Sequence, residues 1–241
     1  MFDAVLFDAD RTIFNNDGLH ELVTRKIIEK VGLDGELADK MHEIWDRIYF
    51  EEQTKLMKEV GYCIDRENSA NSLIIALKEF DINLTYDEAD SMFQIMVDEF
   101  TERSKPYPDM LALMDFLNEQ GIKMGIVSNG DNEVIMNRLK KANIEDYFEF
   151  VIAPCEQYPL TKPDLKIFEE SLNIISTKAD RTIFVGDNPH ADVAGANNAG
   201  MFSVLIDRWN HYPKLEGVEV PDLKISDFNE LIEFIREKSL S

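Results

Sequence analysis

The sequence is poor in cysteine and in long apolar runs, and each shortage excludes a class of protein. Its 241 residues include 2 cysteines, Cys63 and Cys155, which are too few and too far apart to predict a disulfide framework or a zinc site. No apolar stretch approaches the roughly 18 residues of a membrane-spanning helix, and the start of the chain does not resemble a signal peptide. We therefore expect a cytoplasmic protein that has no membrane partner.

Basic residues are also scarce relative to acidic ones. The chain has 25 Lys and Arg against 47 Asp and Glu, which gives a formal net charge of −22. Because a surface this acidic repels nucleic-acid phosphates, we expect no nucleic-acid partner. The same charge means that any small anionic substrate must be met by a local cation. The pattern leaves the oligomeric state open.

The hydrophobic pattern divides the chain into two unlike regions. From about residue 18 to 104, apolar residues recur at helical spacing and no strand pattern is convincing. Turn-forming residues flank this block, at Asp17-Gly18 and at Lys105-Pro106-Tyr107-Pro108. We expect residues 1–17 and 105–241 to form an α/β core domain, into which residues 18–104 are inserted as an all-helical domain.

Short apolar runs alternate with helical patterns outside that block. The predicted strands are residues 4–7, 123–127, 148–152, 182–185 and 202–206, and the helices between the later ones are residues 110–118, 133–142, 164–172 and 192–199. Strands joined by helices indicate a doubly wound parallel sheet. Such sheets bind ligands outside the carboxyl ends of their strands, so the residues that follow each strand are the first candidates for a site.

Polar side chains follow the predicted strands at this edge of the sheet. Asp8 and Asp10 come directly after the first strand, and Ser128-Asn129-Gly130 follows the second. A small hydroxyl and free backbone N–H groups just before a helix are typical of a phosphate-binding turn. Lys162, which lies ahead of Pro163 and a helix, supplies the cation that so acidic a chain needs.

Two more carboxylates, Asp187 and Asp192, follow the strand at 182–185. Hard oxygen ligands that converge with Asp8 suit Mg²⁺, which takes few protein ligands and keeps several waters. Asp192 has a second interpretation, because an aspartate at this place could cap the helix that follows. Each of these features is common on protein surfaces, but four in order at predicted strand ends indicate a site for phosphate and Mg²⁺.

These residues resemble the motifs of the haloacid dehalogenase-like hydrolase superfamily, over nearly the whole length of the chain. The four matching segments are Phe7-Asp8-Ala9-Asp10-Arg11-Thr12, Val127-Ser128-Asn129-Gly130, Lys162-Pro163-Asp164 and Gly186-Asp187-Asn188-Pro189-His190-Ala191-Asp192. The resemblance implies a Rossmann-like core with a helical cap, since the helical block lies between the first and second motifs. It also implies a Mg²⁺-dependent phosphatase of a small phosphorylated metabolite, such as a nucleoside monophosphate, a sugar phosphate or phosphoglycolate.

The resemblance implies a role for each motif residue. Asp8 would attack phosphorus and form an aspartyl-phosphate, while Asp10 would protonate the leaving oxygen and then deprotonate the attacking water. The residues that would hold the phosphate are Ser128, Asn129 and Lys162. The Mg²⁺ ligands would be Asp8, the backbone carbonyl of Asp10, Asp187 and, through the metal's waters, Asp192.

Three other functions stay open at this point. A phosphomutase would share every motif. A haloacid dehalogenase would lack an acid at the position of Asp10 and would need no metal. A receiver-like signalling domain also combines aspartates, Mg²⁺, a hydroxyl and a lysine, but its phosphorylated aspartate follows an acidic pair on a later strand and it has no inserted cap. The order of the motifs here argues against the receiver.

The chain departs from the family pattern in two places, and one cap helix carries two large aromatic residues. Arg11 stands where glycine is commonest, so its guanidinium would either touch substrate or the cap, or form a surface salt bridge. The stretch at 157–161, just before Lys162, lacks the usual glycine. Trp45 and Tyr49 lie four residues apart on a predicted helix, where we expect them in the core more than stacked on a base.

Overall fold

The structure, a computed structural model, describes residues 2–155 and 159–240. Within them, six parallel strands form a sheet in the order β5-β4-β1-β6-β7-β8. The strands are β1 (Ala4–Phe7), β4 (Lys123–Val127), β5 (Val151–Ile152), β6 (Thr182–Gly186), β7 (Phe202–Ile206) and β8 (Leu223–Ile225). The first strand along the chain is therefore central, between β4 and β6. The predicted doubly wound parallel sheet is confirmed.

Helices cover both faces of this sheet. They are α5 (Pro108–Glu119), α6 (Asn132–Ala142), α7 (Leu165–Ile175), α8 (Ala194–Asn198) and α9 (Phe228–Leu240). Side chains of β1 alternate between the two faces: Val5 and Phe7 pack in the hydrophobic cluster of α5, α6 and α9, whereas Ala4 and Leu6 pack in that of α7 and α8. All four are fully buried, which is why this strand has a continuous apolar sequence.

The helical block consists of four helices with a hydrophobic cluster of their own. They are α1 (Leu19–Lys30), α2 (Ala38–Glu59), α3 (Asp65–Lys78) and α4 (Tyr86–Arg103). Residue Val134 of α6 also belongs to this cluster, so the block packs directly on the first turn of that helix. At the start of α4, Thr85 and Glu88 form a reciprocal capping box. The division of the chain into two domains stays a prediction.

The two connections between the block and the sheet run side by side. Two short strands, β2 (Phe14–Asn15) and β3 (Lys105–Pro106), pair as an antiparallel ribbon. The sequence pattern did not predict this ribbon, because two residues are too few to show a period. Its consequence is that both connections pass close to Asp10, which forms a bridge with Phe14.

Some predicted elements differ from the observed ones. The strand predicted at 148–152 is reduced to Val151–Ile152, and β8 and α9 were not predicted. The helix predicted from residue 192 begins instead with a π-helical turn, Pro189–Val193. Short edge strands carry too little hydrophobic pattern to be recognised, and a π turn has no distinct pattern at all. Among the described residues, no helix has both the length and the apolar character that a membrane span requires.

Candidate active site

The first motif leaves the sheet at its carboxyl edge. Asp8 follows β1 directly, and its backbone N–H donates to the carbonyl of Val185 on β6 (2.9 Å). Ser128 comes at the end of β4, and its backbone N–H donates to the carbonyl of Ile152 on β5 (2.9 Å). These ladder bonds continue past the strand ends, so they fix the backbone from which the polar side chains project. Asp8 and Ser128 are both buried.

Lys162 lies between two of the predicted carboxylates. Its Nζ atom donates to Asp8 Oδ1 and to Asp192 Oδ1, at 2.7 Å each, and its side chain is 1% exposed. A lysine this deeply buried needs such partners, because an unpaired buried charge is costly. The structure therefore brings together three residues that lie 154 and 30 positions apart in the sequence.

Asn129 holds the Lys162 segment in place. Its side-chain amide donates to the carbonyl oxygen of Lys162 (3.0 Å), and its side-chain oxygen accepts the backbone N–H of Lys162 (2.8 Å). Both polar atoms of the Asn129 side chain are therefore hydrogen-bonded to the backbone of Lys162. Its predicted contact with phosphate stays a prediction, and its observed contacts are those of a residue that positions Lys162.

Three carboxylates form a cluster beside Lys162. The ligand atoms of Asp8, Asp187 and Asp192 all lie within 4.8 Å of one another. Asp192 packs directly on Gly186, where a Cβ atom would lie 2.2 Å from Asp192 Oδ2, so glycine is required at that position. Asp192 Oδ2 also accepts the backbone N–H of Asn188 (3.0 Å). The cluster is the arrangement that the sequence predicted for a cation.

Asp192 does not cap the helix that follows it. Asn188 does so instead, since its side-chain oxygen accepts the backbone N–H groups of His190 (2.9 Å) and Ala191 (3.0 Å). Of the two interpretations of Asp192, the structure therefore agrees with the one that brings its carboxylate to the cluster.

The convergence of carboxylates changes their acidity. Burial, followed by the charges of Asp192 and Asp10, raises the pKa of Asp8 to about 7, although Lys162 opposes the shift. Burial and the charges of Asp8 and Asp192 raise the pKa of Asp187 to about 8. Burial opposes the charge on Lys162, but the two aspartates hold the pKa of that ammonium above its usual range. The cluster carries more negative charge than Lys162 neutralises, and hard oxygen donors with this excess fit a divalent cation such as Mg²⁺.

Arg138 on α6 is a residue that the sequence reasoning missed. It is 1% exposed, and its Nη1 atom donates to Asp10 Oδ1 at 2.6 Å. Burial alone would raise the pKa of Asp10, but the charge and hydrogen bond of Arg138 hold it below its usual range. A signal was present, because the residues buried on one face of α6 are Val134, Ile135, Arg138 and Leu139. A charged residue at an apolar position of a helix indicates a buried partner.

Arg138 also joins Asp10 to both connections of the helical block. Its Nη1 atom lies 3.2 Å from Asn16 Oδ1, and Asn16 donates its side-chain N–H to Asp10 Oδ1 (2.6 Å). The hydroxyl of Ser104, on the other connection, donates to Asn16 Oδ1 (2.7 Å). Asp10 Oδ1 therefore accepts two hydrogen bonds, one from Arg138 and one from Asn16.

The second oxygen of Asp10 is in a different position. Oδ2 lies 2.9 Å from the place that a Cβ atom would take on Gly130, and no donor within the described part of the chain bonds to it. The backbone N–H of the same Gly130 donates to the Ser128 hydroxyl (3.1 Å). Asp10 therefore has one oxygen fixed by the protein and one available for proton transfer beside the predicted phosphate turn.

Arg11 forms an ion pair with one of the clustered carboxylates, that of Asp187. Its Nε atom lies 3.6 Å from Asp187 Oδ2, and its guanidinium stacks on Trp209 at 5.6 Å from the ring centroid. The side chain is 46% exposed and the backbone has a φ of 60°, a conformation that favours glycine. Of the expected alternatives, the salt bridge is the one observed, with a predicted metal ligand as its partner. The glycine-free stretch before Lys162 includes residues 157 and 158, which lie outside the described residues.

The two aromatic residues of α2 have separate positions. Trp45 packs against the cluster of the helical block, and its Nε1–H donates to the hydroxyl of Ser72 (3.0 Å), as expected of a core residue. The Tyr49 hydroxyl instead donates to Asp65 Oδ1 (2.7 Å), at the start of α3.

Comparison with known proteins agrees with this arrangement. The family model described as haloacid dehalogenase-like hydrolase matches residues 5–206. The chain is 30% identical to a glyceraldehyde 3-phosphate phosphatase of Methanopyrus kandleri, over 98% of both chains. Its fold is similar to that of a putative hydrolase from Bacillus subtilis bound to magnesium, with a TM-score of 0.81, 19% identity and coverage of 98% and 99% of the two chains. It is also similar to the L-2-haloacid dehalogenase of Xanthobacter autotrophicus, with a TM-score of 0.74, 18% identity and the same coverage.

Proposed function

The chain belongs to the haloacid dehalogenase-like hydrolase family, and from this premise we propose that it is a Mg²⁺-dependent phosphatase of a small phosphorylated metabolite. The observation that carries the proposal is the cluster in which Asp8, Asp187 and Asp192 converge around Lys162. Phosphoryl transfer depends mainly on positioning and on neutralisation of charge, and this cluster supplies both.

Asp8 is the nucleophile of the proposed reaction. One of its carboxylate oxygens forms a bond to phosphorus while the bond from phosphorus to the leaving oxygen breaks, which gives an aspartyl-phosphate. Water then attacks phosphorus, and the bond to Asp8 breaks to release inorganic phosphate. A carboxylate nucleophile divides one difficult displacement into two easier steps.

Asp10 transfers the protons. Through Oδ2 it gives a proton to the leaving oxygen in the first step, and it takes a proton from the attacking water in the second. Arg138 and Asn16 hold the other oxygen, so the carboxyl group cannot rotate freely. The lowered pKa of Asp10 favours the ionised form, which accepts the proton from water in the second step, and that proton is the one that Asp10 gives to the leaving oxygen in the next turnover.

The remaining motif residues bind the phosphate and the cation. The Ser128 hydroxyl and the backbone N–H groups that follow it would hold the phosphate, together with Lys162. Asp8, the backbone carbonyl of Asp10, and Asp187 would hold Mg²⁺. Asp192 would act on the metal through its waters. When bound, the metal neutralises charge on the phosphate and on the carboxylates that approach it.

The helical block is proposed as a cap, with residues 18–104 inserted into a core of residues 1–17 and 105–241. Contact between Cys63 of the block and Thr161, next to Lys162, supports this, because it brings the block against the site. A cap that closes over the site removes bulk water from it, which strengthens the electrostatic interactions inside, and its surface contributes substrate specificity. The cytoplasmic location stays a prediction from sequence.

The relatives favour a phosphatase over the other members of the family. The Methanopyrus kandleri relative is a phosphatase of a three-carbon sugar phosphate, whereas the dehalogenase similarity is below 25% identity and extends to the fold alone. Asp10 favours the same choice, since a dehalogenase has no leaving oxygen to protonate. A phosphomutase remains the second candidate, because the motifs of the two activities are the same.

The test is hydrolysis of p-nitrophenyl phosphate by the purified protein after chelation and after addition of single metal ions. We expect no activity after chelation, full recovery with Mg²⁺, and no recovery with Ca²⁺. Because Ca²⁺ takes 6–8 ligands at longer distances, it would occupy both oxygens of Asp8 and should inhibit the Mg²⁺ enzyme. Full activity without metal, or equal recovery with Ca²⁺, would contradict the proposed metal role.

The same preparation separates the alternatives. Chloride release from 2-chloropropionate would indicate a dehalogenase. Activity that requires a catalytic bisphosphate and releases little inorganic phosphate would indicate a mutase. Neither result is expected.

A further inference from the structure

Arg138 contacts aromatic rings from two other parts of the molecule. Its Cζ atom lies 4.6 Å from the ring centroid of Phe14, on the first connection, and 5.7 Å from that of Phe100, in α4 of the helical block. Both rings are buried. A guanidinium is attracted to the face of an aromatic ring, and the attraction is stronger where water is excluded. The place of this side chain therefore depends on α4 and on the first connection as well as on α6, where its Nε atom donates to the carbonyl of Val134 (3.3 Å).

One nitrogen of Arg138 contacts the predicted acid and both connections of the helical block. Nη1 donates to Asp10 Oδ1 (2.6 Å) and to Asn16 Oδ1 (3.2 Å), and it lies 3.5 Å from the hydroxyl oxygen of Ser104. Asn16 and Ser104 are buried and are bonded to each other. Within the described part of the chain, Asp10 is the one carboxylate that pairs with this guanidinium. Arg138 is thus the residue at which the acid, the two connections and α4 meet.

The bonds to Asp10 determine the direction of its free oxygen. Arg138 and Asn16 donate to Oδ1 from different segments of the chain, so a rotation of the carboxyl group weakens both bonds. While they hold, Oδ2 stays beside Gly130 at the predicted phosphate turn. A proton donor acts within about 2.6–3.2 Å of the atom that it protonates, so even a small rotation takes Oδ2 out of that range. Without the guanidinium, the side-chain amide of Asn16 is the remaining donor to Oδ1 among the described residues.

We propose that Arg138 positions Asp10 for proton transfer and makes this step depend on the packing of the helical block, through Phe100. The proposal rests on the proposed phosphatase function and adds a positioning residue to it. Arg138 acts through Asp10 and takes no part in binding the phosphate or the metal. Its loss therefore slows the protonation of a leaving oxygen and has little effect where the leaving group departs without a proton.

The experiment compares two aryl phosphates of similar shape in the Mg²⁺-loaded protein. The p-nitrophenolate ion is a good leaving group that needs no proton, whereas the phenol of phenyl phosphate is a poor one that does. Rapid-mixing measurements of phenol release give the rate of the first step, which is separated from steady-state turnover because Asp10 also acts in the second step. In Arg138→Met, we expect the first step to slow at least about tenfold with phenyl phosphate and less than about threefold with p-nitrophenyl phosphate.

Inhibition by inorganic phosphate is the second measurement on this variant. Because Arg138 acts through the free oxygen of Asp10, the inhibition constant should stay close to the wild-type value. A rise of this constant along with the loss of rate would show that the whole site is disturbed and would contradict a positioning role. Equal slowing of the first step with the two esters, or no slowing with phenyl phosphate, would overturn the proposal.

Two phenylalanines of α4 test the link to the helical block. Phe100→Leu removes the ring that contacts Arg138, whereas Phe93→Leu makes the same change at a ring that is also buried but contacts a different arginine, Arg66, at 5.1 Å. We expect Phe100→Leu to slow the first step with phenyl phosphate at least about threefold and to leave that with p-nitrophenyl phosphate unchanged. Phe93→Leu should keep the wild-type difference between the esters. The same change in both variants would mean that looser packing of the block, not the contact with Arg138, is responsible, and the proposed link would be wrong.

Circular dichroism establishes that each variant is folded, and if Arg138→Met does not fold, the comparison of Phe100→Leu with Phe93→Leu decides the proposal. If the wild-type protein hydrolyses neither aryl phosphate, the proposed function fails and the role of Arg138 fails with it. If it hydrolyses both, and the variants slow the first step alike for the two esters, the phosphatase stands and the positioning role is wrong.

Discussion

The sheet edge and the helical block differ in how deeply their ion-paired side chains are buried. At the carboxyl edge of the sheet, Lys162 and Arg138 are each 1% exposed and are bound to aspartates. In the helical block, ion pairs such as that of Arg47 and Glu51 lie at the surface, where both side chains are more than half exposed. Burial of an ion pair costs desolvation, so a fold does not gain much stability from it. We infer that the buried charges at the sheet edge are kept for chemistry.

Asp65 of the helical block departs from this pattern. Asp65 is partly buried and has a raised pKa, and it accepts the hydroxyl of Tyr49. Its environment is closer to that of the site aspartates than to that of the surface ion pairs. The comparison between the two regions therefore predicts graded effects of substitution, largest at the sheet edge, smaller at Asp65 and smallest at the surface of the block.

The largest effect is expected at the nucleophile. Asp8→Asn replaces the carboxylate with an amide of the same shape, which is a poor nucleophile and a weaker metal ligand. We expect kcat to fall by at least about 10³-fold with the fold retained. Steady-state hydrolysis of p-nitrophenyl phosphate and circular dichroism measure the two quantities. A folded variant with a large fraction of wild-type activity would exclude Asp8 as the nucleophile.

A smaller loss is expected at the acid and base. Asp10→Asn should slow turnover by about 10²-fold or more, because a positioned proton donor is removed. The first step should suffer less with a good leaving group, such as p-nitrophenol, than with an alkyl alcohol. Rapid-mixing measurements of alcohol release resolve that step. If both kinds of ester slow equally, Asp10 has a structural role instead.

Stability provides the next contrast, between two arginines that each pair with a carboxylate. Arg138→Met leaves Asp10 Oδ1 without its cation, and because the Asp10 side chain is 38% exposed, water replaces part of the lost interaction, so we expect the free energy of unfolding to fall by about 1–3 kcal/mol. Arg47→Met, the matched change on the surface of the helical block, should cost less than about 1 kcal/mol. Urea unfolding of both variants decides this. Similar losses would mean that the buried pair is no more important to the fold than a surface pair.

The effect expected at Asp65 has the opposite sign, a gain in stability. The pKa of this carboxyl is raised to about 6, so above that pH the folded protein holds a charge that the unfolded chain accommodates more easily. Its neighbours Tyr49, Asp131 and Asp10 act on the same carboxyl. Asp65→Asn should therefore unfold at a higher temperature than wild type at pH 7.5.

The gain from this substitution should shrink as the pH falls below about 6 and should disappear near pH ~3, below the ordinary pKa of 3.8, where Asp65 is protonated in both the folded and the unfolded protein. Thermal unfolding at the two pH values tests the sign. A variant that is less stable than wild type at pH 7.5 would show that the ionised carboxylate stabilises the fold.

Much of the site could be predicted from sequence because each motif residue comes directly after a strand. Asp8 follows β1, Ser128 follows β4 and Asp187 follows β6. In a parallel sheet these ends must lie at one edge, so position along the chain fixes position in space. The same reasoning cannot reach Arg138, which lies about two turns into α6 and meets Asp10 only because α6 packs over the connections of the helical block.

The pairing inside the helical block was beyond sequence reasoning for a different reason. Tyr49 and Asp65 lie on successive helices, and helical periodicity gives the face of each helix but not how the helices pack against each other. The sequence by itself determined the parallel sheet, the strand ends and the aspartates, because each of these residues directly follows a strand and parallel strands end at the same edge of the sheet. Only the tertiary structure decided which oxygen of Asp10 is free, what Arg11 contacts and which residues Arg138 joins, because these depend on contacts between elements far apart in the chain.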